Sequence, residues 1–282
     1  MDYQKEITHL DKQLTFLNEV ILAIAPDKIG FLELTSVIGP ILKLNLDTGK
    51  SIKLLAENNH LRDLIILSRP FIESIINVGF ICAKGDEAII KSKKYAYQKG
   101  YRDLFREIKL NDFEIKNGLT SHKEFIDQHR PQNLGEALEE YNTKKGNEKT
   151  SWTDETAKQK VEEISKQYGV WVNGLLTFAF FNIYRDVSEI IHGSYYGVLI
   201  MTGMQNKDIT AFKTSDEAAK YFTDHQFKLG TLIAQQVSIS IVAIIEILNQ
   251  VFVKLPTVTE IKDKSYSTLI EYADNAFAKQ TL

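Results

Sequence analysis

Arg185 and His192 stand seven residues apart in the segment Tyr184-Arg185-Asp186-Val187-Ser188-Glu189-Ile190-Ile191-His192-Gly193-Ser194. On a helix that spacing returns both side chains to nearly the same face, about 10 Å apart along the axis. Arginine keeps its charge and forks onto phosphate oxygens. Histidine gives or takes a proton near neutral pH. The pair suits phosphodiester chemistry that needs no metal and no cofactor. His192 would deprotonate a ribose 2′-hydroxyl or protonate the leaving oxygen, and Arg185 would stabilise charge developing on the phosphate. Gly193 ends the helix and places His192 near an accessible end. The plain alternative is an i,i+4 pair of Arg185 with Glu189 and a histidine that caps a helix C-terminus.

Other residues compete for chemistry. Arg62, Arg69 and Glu73 fall on one stripe of an otherwise apolar helix, where charges must pair or line a polar pocket. An Arg69–Glu73 pair facing Arg185 and His192 is expected, with a purely structural ion pair as the alternative. Glu189 and His192 also form a Glu-x-x-His, as do Glu57 and His60. With Glu73 and Glu163 as partners they would make the ligand set of a di-metal carboxylate protein. Lys91, Lys93, Lys94, Lys99, Arg102, Arg106 and Lys109 alternate with Tyr95, Tyr97 and Tyr101. Lys93, Lys94, Lys99 and Arg102 are the candidates for RNA contact, with the tyrosines as stacking rings. The alternative is a solvated face on an amphipathic helix. His9 and His225 read as helix-surface residues, and Trp171, Phe178, Phe180, Phe181 and Tyr184 most simply as core.

The Arg185-Asp186 to His192 spacing resembles the arginine–histidine motif of the HEPN superfamily. That resemblance implies a helical bundle and a metal-independent ribonuclease in toxin–antitoxin or antiviral systems. It also implies a homodimer whose interface site is built from both copies of Arg185 and His192. The chain is similar, too, to a bacterial family of helical proteins of unknown function. Its marks are an Arg-x-x-x-Glu helix, here Arg69 to Glu73, and a later Tyr-x-x-x-Ser-x-x-x-His-x-Ser segment, here Tyr184, Ser188, His192 and Ser194. The likeness covers about residues 61 to 251, without the polar stretch described next. A supporting pocket of Arg69, Glu73, Tyr184, Ser188 and Ser194 around the catalytic pair follows.

The elements that must hold these residues are helices. Among 282 residues only 15 are glycine and 5 proline, and apolar residues recur at helical spacing. The expected architecture is all-α, a single helical bundle over 1–282 with a polar, loop-rich insertion at 110–150. Helices are expected over Asp2–Ala25, from Ile29 to Leu46 with a kink or break at Gly39-Pro40, and over Ile52–Ala83 as one long helix or a pair, with Ser68 capping a new helix or the helix bending at Pro70. Leu46-Asp47-Thr48-Gly49 reads as a turn. A basic helix follows over Glu87–Lys109. Order returns near Ser151, and a strongly apolar helix runs Val170 to His192. Thr214 and Glu217 form a capping box for a long helix to about Val253, and Pro256 opens the last one.

Composition narrows the setting. Net charge is −3, which argues against a broad duplex-coating surface. Cys82 is the lone cysteine, so no intramolecular disulfide or cysteine metal site is available. The polar N-terminus lacks a signal core, and Leu232–Leu248 is interrupted by glutamines, serines and Glu246. A cytoplasmic protein with no membrane span is expected. The second functional reading is a non-catalytic module that binds a ligand, or a partner protein through 110–150.

Overall fold

The computed structural model describes residues 3–104, 106–111, 113–116, 134–205 and 207–277. The fold is all-α, a helical bundle with almost no strand among the described residues. Two compact units divide the chain. One comprises residues 1–83 with 156–282, and the other residues 84–155. The second takes in the expected 110–150 insertion together with the basic helix before it.

The first unit is built on α1 (Gln4–Ala23), α2 (Pro26–Ile29), α3 (Glu33–Glu57) and α4 (Leu61–Lys84). After the second unit come α7 (Ala157–Tyr168), α8 (Val170–Ile191), α9 (Tyr195–Thr202), α10 (Ser215–Val251) and α11 (Pro256–Phe277). At 37 residues, α10 is about 55 Å long. It packs on α1, α8, α9 and α11, and its stretch from Ile233 to Leu248 is buried on most sides. Leu10, Leu14 and Leu17 of α1, Ile38, Leu42 and Leu46 of α3, and Leu64, Phe71 and Ile75 of α4 complete the core.

Two expected breaks are overridden by packing. Helix α3 runs unbroken through Gly39-Pro40 and through Leu46–Gly49. A Cβ at Gly49 would lie 2.4 Å from Leu14 Cδ2 and 2.9 Å from Phe71 Cε2. Glycine is there because α1 and α4 close on the helix, not because the chain turns. Likewise Pro70 sits inside a continuous α4. Helices α4 and α10 are long and apolar enough to cross a membrane, but most of each apolar window is buried in the fold.

Local signals set the other boundaries. Thr214 caps α10 by accepting from the Glu217 amide, while the Glu217 carboxylate accepts from Lys213 rather than from Thr214. Helix α7 starts at Thr156, not near Ser151. Thr156 and Gln159 form a full capping box, and Ser151 and Thr153 bond each other in the turn before it.

The second unit holds α5 (Asp86–Leu104), a hairpin of β1 (Glu107–Leu110) and β2 (Phe113–Lys116), and α6 (Leu134–Glu140). The hairpin is a departure from the expected basic helix to Lys109. Its alternating sequence puts Ile108 opposite Ile115 and Leu110 opposite Phe113 on one face. Those four side chains are exposed, and Lys109 pairs with Glu114 at 3.0 Å.

Candidate functional site

Helix α8 carries the candidate motif, and it is apolar on two faces. Gly169, at φ 91°, admits the turn that starts it. Val172, Leu176, Ala179, Ile183, Val187 and Ile190 are buried against the bundle. On the opposite side, Trp171, Gly174, Phe178, Phe181, Arg185, Ser188 and His192 recur at spacings of three and four residues. That is the 3.5-residue repeat of a helix seam. Trp171, Phe178 and Phe181 are exposed, Phe181 to 75%. They were expected in the core, and the structure corrects this: α8 satisfies the core with its other stripe. Trp171 is partly anchored, its indole N–H donating to the Tyr266 hydroxyl at 2.7 Å. The seam from Trp171 to His192 is about 32 Å long.

His192 terminates α8 and is exposed. Its N–H donates to the Ser188 carbonyl at 3.1 Å. Gly193 takes a left-handed φ of 64°, which turns the chain into α9. Ser194 is the hinge of that corner. Its hydroxyl donates to the Glu189 carboxylate at 2.7 Å and accepts from the Gly197 N–H at 3.0 Å, capping α9. Gly197 is required by contact, since a Cβ there would lie 2.5 Å from the Glu189 carbonyl oxygen. So Ser194 and Glu189 fix the corner that presents His192, and Ser188 is half-buried beneath it. Tyr195, 78% exposed, and Tyr196, also exposed, open α9 three and four residues after the histidine. Their place just after a His-Gly-Ser turn is the sequence signal that marks them.

Tyr184 and Arg185 lie on α8 by backbone, but their side chains are outside the described residues, so the arrangement of Arg185 around a phosphate rests on helical register. Arg69 and Glu73 do come together: Nε donates to the carboxylate at 3.0 Å, one turn apart on α4, with both groups partly exposed.

The basic helix serves the second unit from within. Lys94 pairs with Glu140 at 3.1 Å and Glu136 at 3.5 Å. Lys99 pairs with Glu148 at 2.9 Å and Asp103 at 3.5 Å. Arg102 donates to the Leu138 carbonyl and to Asn142, and Lys93 is half-buried. The Tyr95 hydroxyl donates to the Thr150 carbonyl, and that of Tyr141 shares its one proton between the Lys91 and Trp152 carbonyls, each at 3.0 Å. Neighbouring carboxylates hold the ammonium groups of Lys94 and Lys99 in their charged form and raise their pKa values.

The di-metal ligand set does not assemble. Helix α3 ends at Glu57, and Asn59 adopts a left-handed φ of 59°, so His60 leaves the helical face of Glu57. Glu57 pairs with Lys53, Glu163 with Lys166, and Glu189 with Ser194. Among the described residues no three ligating side chains converge. His122 and His129 lie outside the described residues.

Two remaining histidines are not surface groups. His9 on α1 is 4% exposed and stacks on Tyr272 at 4.5 Å. Among the described residues neither of its ring nitrogens has a hydrogen-bond partner. His225 on α10 is half-buried, with Nε2 2.8 Å from the Ile200 carbonyl.

The chain belongs to a family of unknown function, DUF5677, whose model matches residues 36–208. That span runs from the first turn of α3 through α9, and so takes in the whole corner from Arg185 to Gly197. No curated protein and no solved structure matches the chain.

Proposed function

We propose that this member of the family cleaves RNA without a metal ion, as a HEPN-like homodimer whose α8 seams meet and bring two copies of Arg185 and His192 to one groove. The observation that carries the reading is the second stripe of α8. An exposed apolar seam that the described residues leave uncovered ends on an exposed histidine, with arginine one heptad earlier on the same register. Exposed contiguous apolar surface marks an interaction site, and a two-fold interface repeats each residue on both sides. One His192 would take the 2′-hydroxyl proton as that oxygen attacks phosphorus. The other would protonate the departing 5′-oxygen, leaving a 2′,3′-cyclic phosphate and a 5′-hydroxyl. Arg185 would bind the phosphate, and we assign the charge contact to it rather than to α5, because Lys94, Lys99 and Arg102 already hold the second unit together. A cytoplasmic effector of toxin or antiviral type fits such an activity.

The test is cleavage of a mixed-sequence RNA in EDTA by wild type and His192→Ala. Loss of cleavage of a thousandfold or more in the variant, with its mass and helicity unchanged, is expected. Equal cleavage by both proteins refutes the assignment.

A second reading, a non-catalytic module that docks a partner protein through the 110–150 region, is favoured by the hairpin. Ile108, Leu110, Phe113 and Ile115 form one exposed apolar face, and an isolated hairpin is marginal in water without such a face being covered.

A further inference from the structure

Behind the motif, on the buried side of α8, the first unit contains a partly open cavity of about 210 Å³. We propose that it binds a small neutral aromatic molecule carrying one hydrogen-bond donor. The cavity lies between Ile183, Val187 and Ile190 of α8, Ile65 of α4, and Leu229 and Ile233 of α10. Well-packed interiors leave few voids larger than a water molecule. An apolar cavity of about 150 Å³ stays dry and takes up benzene. The present space therefore has room for one ring or two fused rings, and too little for a long acyl chain.

Its chemistry restricts the ligand further. Among the described residues no Asp, Glu, Lys or Arg lines it, and the polar side chains there are Gln205 and His225. His225 Nε2 is committed to the Ile200 carbonyl. In the neutral ring that leaves Nδ1 as an acceptor, and Gln205 is the second polar side chain on the lining. A ligand with one N–H or O–H satisfies these groups; a charged one would be stranded among aliphatic side chains.

The loop beside His225 is held by contacts of its own. Gly203 holds a left-handed φ of 71°, and a Cβ there would lie 2.6 Å from the His225 ring. The Tyr221 hydroxyl donates to the Gly203 carbonyl at 2.8 Å. Further along the loop the Lys207 ammonium sits 4.4 Å from the ring centres of both Phe212 and Tyr221. The cavity is thus largely preformed, as small-molecule sites are. Binding here is independent of whether the opposite face of α8 cleaves RNA.

Indole is the probe. Titrated onto the full chain and followed by calorimetry and thermal unfolding, it should bind saturably and raise Tm with concentration. Leu229→Trp, which fills the space, should abolish both effects while keeping its helicity. Gln205→Leu, at the rim, should weaken indole binding about fivefold to tenfold and leave the fold untouched. The proposal is overturned by the absence of saturable binding up to the solubility of indole, by unchanged binding to folded Leu229→Trp, or by no weakening in Gln205→Leu. Tighter binding of n-octanol than of indole would overturn the aromatic class.

Discussion

Acid should weaken the fold at one buried imidazole. His9 lies between α1 and α11, 4% exposed and stacked on Tyr272. The Tyr272 hydroxyl donates to Glu6 at 2.9 Å and accepts from Gln235 at 2.6 Å, so the polar groups nearby are already engaged with each other. Burial, and then the positive charge of Lys12, push the His9 pKa down from 6.5 to about 4. The folded protein therefore holds this proton less tightly than the unfolded chain does. Stability from His9 is present in full above about pH 6.5, falls as the pH drops, and stops falling below about pH 4. At about 1.4 kcal/mol per pH unit, that interval is worth about 3 kcal/mol, a large part of an ordinary domain's total. The assay is urea unfolding at pH 7, 5.5 and 4 for wild type and His9→Phe. The phenyl ring keeps the stack on Tyr272 and cannot take a proton. Carboxylates contribute equally to both proteins, so the difference in pH slope isolates His9. Wild type should lose about 3 kcal/mol more than the variant between pH 7 and 4. Parallel pH curves would refute the reasoning, whatever the absolute stabilities.

Two further expectations concern the α8 corner and its seam. Gly197→Ala forces a Cβ to within 2.5 Å of the Glu189 carbonyl oxygen and should cost about 1–3 kcal/mol in thermal unfolding. Gly100→Ala, with nothing within 4 Å of the new Cβ, should cost nothing; equal melting of the two variants would contradict the close approach of α8 and α9. Phe181→Glu places a charge in the middle of the seam and should weaken self-association by a hundredfold or more. Light scattering across a concentration series reads it, and an unchanged mass for variant and wild type would remove the seam as the dimer contact.

Much of the fold is legible in local chemistry, because caps and breakers act over a few residues. Thr214 before Glu217, Pro256, and the glycines at 169 and 193 each mark the boundary they occupy. Long-range packing overrides the rest. Gly49 looks like part of a turn until Leu14 and Phe71 are seen closing on it. Alternation from Glu107 to Lys116 carries a strand signal, but the lysines and tyrosines just before it extend a helical reading through Lys109. The site shows the same division. Seven-residue spacing alone brings Arg185 and His192 into register, and Ser194 is recognisable as a polar residue after a helix-ending glycine. The role of Phe178 and Phe181 is not legible, because an apolar residue on a helix reads as core until another stripe is shown to fill that role. Asp103 lies within helical reach of Lys99, but Glu140 and Glu148, the nearer carboxylates to Lys94 and Lys99, lie about 40 to 50 residues away, beyond what spacing on one helix conveys.

The measurement closest to the central claim is the chemistry of the cut ends. RNA incubated with the wild-type protein in EDTA, and its fragments analysed by mass spectrometry, should show 2′,3′-cyclic phosphate and 5′-hydroxyl termini that are absent with His192→Ala. Intact RNA, or fragments ending in a 3′-hydroxyl and a 5′-phosphate, would contradict the account.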